Sequence, residues 1–244
     1  FHIHCLDLVR FHSVGCIEES FHGVDDAIRY VLAEFEKDTV WKDDLILVEE
    51  YIESDGSCGI SPSAELFIDD DGPKITYLCD QVLGINGDFL GVVLGVGVFD
   101  EETKKRIRRT SLQIGERFFE MGYRGFFDID FVIAKNGNPV VIETNMRRTG
   151  GTHVYDAVRF LVGKSWESTV FALSRDSFKY GQKMLPDEDI LGRMENILYP
   201  INNQERGAII SIIDKKLSTF GFIIVGSSKD DALRIYNQML SYWR

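Results

Sequence analysis

The chain has 244 residues, 44% of them hydrophobic, enough to bury a sizeable core in one large domain or two lobes. Its 27 basic and 39 acidic residues give a net charge of −12, which argues against nucleic acid and anionic membrane surfaces as partners. No apolar run approaches the roughly 20 residues that span a bilayer, so no membrane span and a soluble protein are expected.

The start, FHIHCLDLVR, has neither an initiator Met nor a signal-peptide layout, so residues upstream of Phe1 are expected. Alternation would put His2 and His4 on one face of a strand, but no nearby carboxylate completes a metal set. FHGVDDAIRYVLAEFEKD reads as an amphipathic helix with Val24, Ile28, Val31, Leu32 and Phe35 on one stripe. LILVEEYI, Leu45 to Ile52, reads as a strand followed by an SDGSCGISPS loop. SAELFIDDDGPKITYLC predicts a hairpin turned at its DG pair. From Glu101 to Met121 the apolar positions Ile107, Ile114, Phe118 and Met121, spaced 7, 4 and 3 apart, predict a long helix. A second hairpin, GYRGFFDIDFVIAKNGNPVVIETN, precedes a short helix over Val154 to Val162 and a stretch without pattern to about Glu205. GAIISIID and FGFIIVGS then read as strands, and a helix runs from about Lys229 to Tyr242. Strands, helices and antiparallel hairpins in this order predict an α+β fold. Cys5, Cys16, Cys58 and Cys79 form no C-x-x-C pair, so neither zinc nor a redox motif is indicated, and reduced thiols in a cytoplasmic protein are expected.

The second hairpin carries the chemistry. A two-residue type I′ turn at Asn136-Gly137 would oppose Asp130 to Glu143 and Asp128 to Asn145, with Ile129–Thr144 and Phe131–Ile142 on the other face. Opposed carboxylates about 5 Å apart repel, by ~1 kcal/mol at ~4 Å even in bulk water and more near a protein surface. A divalent cation over Asp130, Glu143 and Asn145 would remove that penalty, and oxygen ligands suit Mg²⁺ or Mn²⁺ better than zinc. Arg147 and Arg148 follow at once, able to grip phosphate or carboxylate in bidentate fashion, and Gly150-Gly151 lets backbone N–H groups approach an oxyanion. The bland alternative is a solvated strand face on an ordinary hairpin. The whole set suits phosphoryl transfer.

These residues resemble the ATP-grasp superfamily, in which Asp-Phe and, on the adjacent strand, Glu-x-Asn close the phosphate and metal site. Asp130-Phe131 and, thirteen residues on, Glu143-Thr144-Asn145 match that pattern. The closer resemblance is to the pheganomycin-type peptide ligases, through SPSAELFID, CDQVLG, GYRGFFDIDF, ETNMRRTGGTH and IISIID with FGFIIVGSSKDDA, in that order from about Leu45 to Ala232. It implies two α+β lobes with antiparallel sheets gripping ATP between them: residues 1–55 as part of an N-terminal lobe incomplete at its start, and residues 56–244 as the catalytic lobe. It implies ATP and Mg²⁺ (or Mn²⁺) as cofactors, with Asp130, Glu143 and Asn145 on the metal and Glu49, Glu50, Tyr51 and Ile52 at the adenine. Ser63 and Glu65 are weaker matches for ribose contacts. Arg147 would stabilise the transferred phosphoryl group, while Arg148, Thr152 and His153 would grip a substrate carboxylate near Gln81, Gly150 and Gly151. The Gly-rich phosphate loop of the family, with its Lys, is not found before Phe11 to Gly15.

The resemblance thus implies an ADP-forming carboxylate–amine ligase acting on amino acids or peptides through an acyl phosphate, with a homodimer among the expected assemblies. Two other readings keep the nucleotide: transfer of the activated carboxylate to a carrier-protein thiol, and a catalytically inactive nucleotide-binding protein. A structural α+β domain is the remaining one.

Overall fold

In the computed structural model, which describes residues 2–5, 9–12, 18–21, 23–37, 47–49, 52, 54, 61–85, 87–181 and 184–243, the chain divides into two units, Phe1–Ser54 and Asp55–Arg244. The first holds strands β1 (His2–Cys5), β2 (Val9–His12), β3 (Glu18–Phe21) and β4 (Leu47–Glu49), and helix α1 (Val24–Lys37). Its sheet runs β3-β2-β1-β4. β1 to β3 pair antiparallel, and β4 joins β1 in parallel after the crossover that carries α1. Asp25 and Asp26 in the first turn of α1 and Lys37 in its last complement the helix dipole. Two residues of the expected apolar stripe, Ile28 and Leu32, are exposed, 44% and 56%. The expected strand Leu45 to Ile52 is described only as β4 and Ile52, so Glu50 and Tyr51 lie outside the described residues, as does the side chain of Glu49.

The second unit is built on an eight-stranded sheet, every neighbouring pair antiparallel. Its strands are β5 (Pro62–Asp69), β6 (Gly72–Leu83), β7 (Phe89–Gly95), β8 (Gly125–Ile133), β9 (Pro139–Asn145), β10 (Phe171–Lys179), β11 (Gly207–Asp214) and β12 (Thr219–Gly226). In space they run β11-β12-β10-β7-β6-β5-β8-β9. Helices α2 (Glu101–Glu120), α3 (Thr152–Val162), α4 (Trp166–Thr169), α5 (Asp187–Met194) and α6 (Lys229–Ser241) cover its faces.

Alternation along each strand assigns the faces. Ala64, Leu66, Leu78, Phe127, Ile129 and Phe131 point to one side and pack on Ile107 of α2. Phe171, Phe222 and Ile224 point the same way and meet Ile190 of α5 and Ile235 of α6. The other side carries Tyr77, Cys79, Val92, Leu94, Ala172 and Val225 against Val154, Tyr155 and Val158 of α3 and Trp166 of α4. Over β5, β8 and β9 this second face turns polar. There the chain has placed Ser63, Glu65, Asp128, Asp130, Glu143 and Asn145.

Both hairpins form, each with a turn different from the expected one. In the first, the turn is Asp70-Asp71, with Asp69 paired to Gly72; the Asp71 N–H donates to Asp69 Oδ1 at 3.0 Å and Gly72 takes φ 105°. In the second, the Asn136-Gly137 pair is not a type I′ turn. Gly137 alone of the two has positive φ, 75°, and its N–H donates to the Ala134 carbonyl at 2.8 Å, while the Ala134 N–H donates to that of Asn138 at 3.0 Å. That is a three-residue loop with glycine in the left-handed position. It shifts the register by one, so Phe131 faces Val141 rather than the expected Ile142. A bulge at Ile142 then shifts it back, so Asp130 faces Glu143 and Asp128 faces Asn145 as expected.

The long helix starts at its Asp100 cap, whose carboxylate accepts from the Thr103 N–H at 2.7 Å. Met121, expected on its buried stripe, is an exposed cap residue. The stretch without pattern contains α4, α5 and the interior strand β10, and β7 is a further strand that the sequence reading did not single out.

Candidate active site

Registers across the sheet line up the polar residues in two rows. One runs Glu143–Asp130–Ser63–Cys79, the other Asn145–Asp128–Glu65–Tyr77. Among the bulges of the sheet, those beside Glu65, Asp130 and Arg175 adjust the aim of the side chains near them. Above the rows lies a cleft of about 390 Å³ lined by Ser63, Gln81, Asp128, Asp130, Glu143, Asn145, Arg147, Gly150, Gly151 and Asp176, among others.

The acids at its floor crowd one another. Ser63 Oγ donates to both oxygens of Asp128, at 2.7 and 2.8 Å. Even so, burial and then the neighbouring charge of Asp130 push the Asp128 carboxyl up to about 7. Asp130 is pushed up as well, by burial and then by Glu143. Gln81 Nε2 donates to Asp130 Oδ1 at 2.6 Å and Asn145 Nδ2 to its Oδ2 at 3.2 Å. Arg147 Nη2 in turn donates to Asn145 Oδ1 at 3.3 Å, so one run of hydrogen bonds links Gln81, Asp130, Asn145 and Arg147. Asn145 Oδ1 keeps a second lone pair for another partner.

Of the expected site residues in the second unit, four do not line the cleft: Glu65, Arg148, Thr152 and His153. Glu65 is fully buried beneath it, where Thr76 Oγ1 donates to its Oε1 at 3.2 Å and the Thr152 hydroxyl to its Oε2. Burial pushes this carboxyl up against those hydrogen bonds. Thr152 therefore anchors the start of α3 to the floor instead of facing outward. Arg148 lies over the Phe126 ring, 4.3 Å from its centroid, and pairs with Asp156 at 3.3 Å. His153 is exposed on the first turn of α3. Gly150 and Gly151 are needed as glycines: a Cβ would stand 2.7 Å from the Phe89 ring at the first and 2.7 Å from the Tyr77 hydroxyl at the second.

The cleft also holds residues that were not singled out: Phe89 and Val92 of β7, Thr149, and Asp176 of β10. Thr149 belongs to the ETNMRRTGGTH stretch, but Phe89, Val92 and Asp176 belong to the two strands without a legible pattern. Cys79 is a free, buried thiol in the wall, pushed well up by burial; Cys16 and Cys58, and the side chain of Cys5, lie outside the described residues.

The donor set fits a hard divalent cation. Asp130, Glu143 and Asn145 offer oxygen, and the raised carboxyls of Asp128 and Asp130 mark a place where positive charge is favoured. Among the described residues no three His, Cys, Asp or Glu gather into a metal cluster, so such a cation would draw its remaining ligands from phosphate oxygens and water.

No family model matches the chain. It is 31% identical over 142 residues to the L-propargylglycine–L-glutamate ligase of Streptantibioticus cattleyicolor, across 58% of this chain and 28% of that protein. It is 30% identical over 100 residues to the butirosin acyl-carrier protein–L-glutamate ligase of Niallia circulans, across 41% and 24%. The matches thus span less than a third of either relative. A biotin carboxylase from Campylobacter jejuni, solved as a β,γ-ATP complex, superposes with a TM-score of 0.59 at 12% identity, over 96% of this chain and 56% of that one. The α+β architecture is the ATP-grasp fold, and in sequence the chain is similar to these two L-glutamate ligases.

Proposed function

We propose that this chain is the ATP-using part of a carboxylate–amine ligase that joins amino acids or peptides. The γ-phosphoryl group of ATP passes to a substrate carboxylate, an amine attacks the acyl carbon, and phosphate leaves as the amide forms. One observation carries the reading: Glu143, Asp130, Asn145 and Arg147 meet at one cleft, two carboxylates, an amide and a cation. Mg²⁺ or Mn²⁺, when bound, neutralises phosphate charge and orients the phosphoryl group. Asp130, Glu143 and Asn145 would hold it, and Gln81 fixes the Asp130 carboxylate from the other side.

Arg147 places a fixed positive charge where negative charge develops in transfer. Gly150 and Gly151 keep the loop after β9 close enough for its N–H groups to meet an oxyanion. Glu49, Glu50, Tyr51 and Ile52 are assigned to the adenine. Ser63 and Glu65 take supporting roles instead of ribose contacts, one bracing Asp128 and the other Thr152. Arg148 and His153, at the rim of the same loop and helix, are assigned to the substrate carboxylate. ATP and amino acids as substrates go with a cytoplasmic location.

A carrier-protein thiol in place of the amine is the second reading, favoured by the name of the Niallia circulans relative. Both share the first half-reaction. The test is ADP release by the protein with Mg²⁺, ATP and pairs of amino acids. ADP release that needs a carboxylate substrate, yields an amide and is lost in Glu143→Gln is expected. Release that ignores every carboxylate, or that survives Glu143→Gln, rejects the proposal.

A further inference from the structure

The cleft contains one acid that phosphate chemistry leaves unused. On β10, Ala172 and Ser174 face the cleft side of the sheet, and Ser174 Oγ accepts from the Val92 N–H of β7 at 2.9 Å. A bulge between Arg175 and Phe178 then interrupts the pairing with β12, and bulges beside sites commonly re-aim a side chain. Asp176 sits in that bulge and lines the cleft. Its Oδ1 is buried and has no hydrogen-bond partner among the described residues. Its Oδ2 lies 3.7 Å from where a Cβ on Gly150 would stand, beside the Phe89 ring.

A buried carboxylate oxygen left unpaired costs free energy, and because Asp176 lines the cleft, a cationic ligand drawn to this carboxylate would offset that cost. Burial pushes the Asp176 carboxyl up, opposed by the charge of His153. Three strands, β7, β6 and β5, separate β10 from the strand that carries Asp130. Asp176 therefore stands roughly four strand spacings of ~4.8 Å from the metal-and-phosphate end. Arg147 and the metal ligands hold phosphate groups over β8 and β9; over β10 an acid stands next to an aromatic ring, a pairing that suits a small cation.

We infer that Asp176 binds the primary ammonium group of an amino-acid substrate. The inference rests on the ligase reading and adds to it where the amino end of a substrate is held. Either the acceptor amine or the amino group of the activated amino acid would present the same chemistry.

Asp176→Asn separates these sources and tests the inference. Three reactions are compared with the wild type: ADP release, trapping of the activated carboxylate by hydroxylamine as a hydroxamate, and amide formation. If Asp176 holds the acceptor, hydroxamate formation stays within about twofold, while amide formation falls roughly 10- to 100-fold, mainly through the KM of the amine, as loss of a charge-assisted hydrogen bond implies. If it holds the activated amino acid, hydroxamate formation falls by that factor for α-amino carboxylates and not for their des-amino analogues. Asp176→Glu should regain part of either loss, and neither variant should melt below the wild type. Equal loss in all three reactions with a lowered melting temperature would make Asp176 structural, and no change in any would make it idle; both overturn the inference. A wild-type protein that releases no ADP with any pair removes the ligase reading itself, and this inference with it.

Discussion

Arg147 is tethered only lightly, to Asn145 Oδ1 at 3.3 Å and to the Arg148 carbonyl at 3.2 Å, so its guanidinium is available at the lip of the cleft. A cation that acts on developing charge should matter to turnover more than to ground-state binding. Arg147→Ala is expected to lower kcat by about 100-fold or more, with ATP affinity nearly unchanged by titration. Comparable losses in both would assign it to binding alone. Ser63 has a different task. Its hydroxyl donates to both oxygens of the buried Asp128 carboxylate, so Ser63→Ala should cost about 1–3 kcal/mol in urea unfolding. A cost near zero would mean that Asp128 finds another donor.

At the scale of elements, close backbone approach sets where the strands lie. A Cβ on Gly91 of β7 would stand 2.2 Å from the Ser174 carbonyl oxygen of β10, with backbone on both sides and no flexible group to yield. Gly91→Ala should therefore destabilise the protein by about 3 kcal/mol or more, seen as a lowered melting temperature; an unchanged one would show that the two strands can part. This pairing explains why β7 and β10 were hard to read. FLGVVLG is short and interrupted by glycine, and the second half of FALSRDSFK puts Ser174, Arg175, Asp176 and Ser177 where a strand pattern calls for alternation. Where one face is buried, alternation is plain: Phe127, Ile129 and Phe131 marked β8, with Asp128 and Asp130 between them. The opposition of Asp130 to Glu143 was legible for a reason only partly right, because the longer loop and the bulge at Ile142 offset each other. What the sequence could not display was which polar residues point down. Glu65 and Thr152 bind each other under the floor, and Arg148 turns to Phe126 and Asp156.

For the molecule as a whole, the excess of acid, −12, makes the response to pH informative. Among the described residues no helix is long and apolar enough to cross a membrane. Asp231 at the start of α6 is almost wholly buried, which alone would push its carboxyl up. The Ser227 N–H at 3.0 Å and Arg206 and Arg234, each at 3.2 Å, outweigh that and hold it below the usual value. A carboxyl held below its unfolded pKa of about 3.9 stabilises the fold above that pH, and this stability is lost as pH falls through the folded value. Asp231→Asn should thus lower the melting temperature at pH 7, and the gap to wild type should close as pH falls through the lowered folded value. A gap independent of pH would assign the effect to shape, not charge.

The central claim is that the row of Asp130, Glu143 and Asn145 holds a divalent cation with ATP. The direct measurement is the melting temperature of the protein with ATP, with and without Mg²⁺, for wild type and Glu143→Gln. A ligand at 100 times its Kd stabilises by about 2.7 kcal/mol, a readily visible shift. A rise that needs both Mg²⁺ and ATP and is lost in Glu143→Gln is the predicted result. An equal rise in the variant, or a rise with ATP that ignores Mg²⁺, would contradict it.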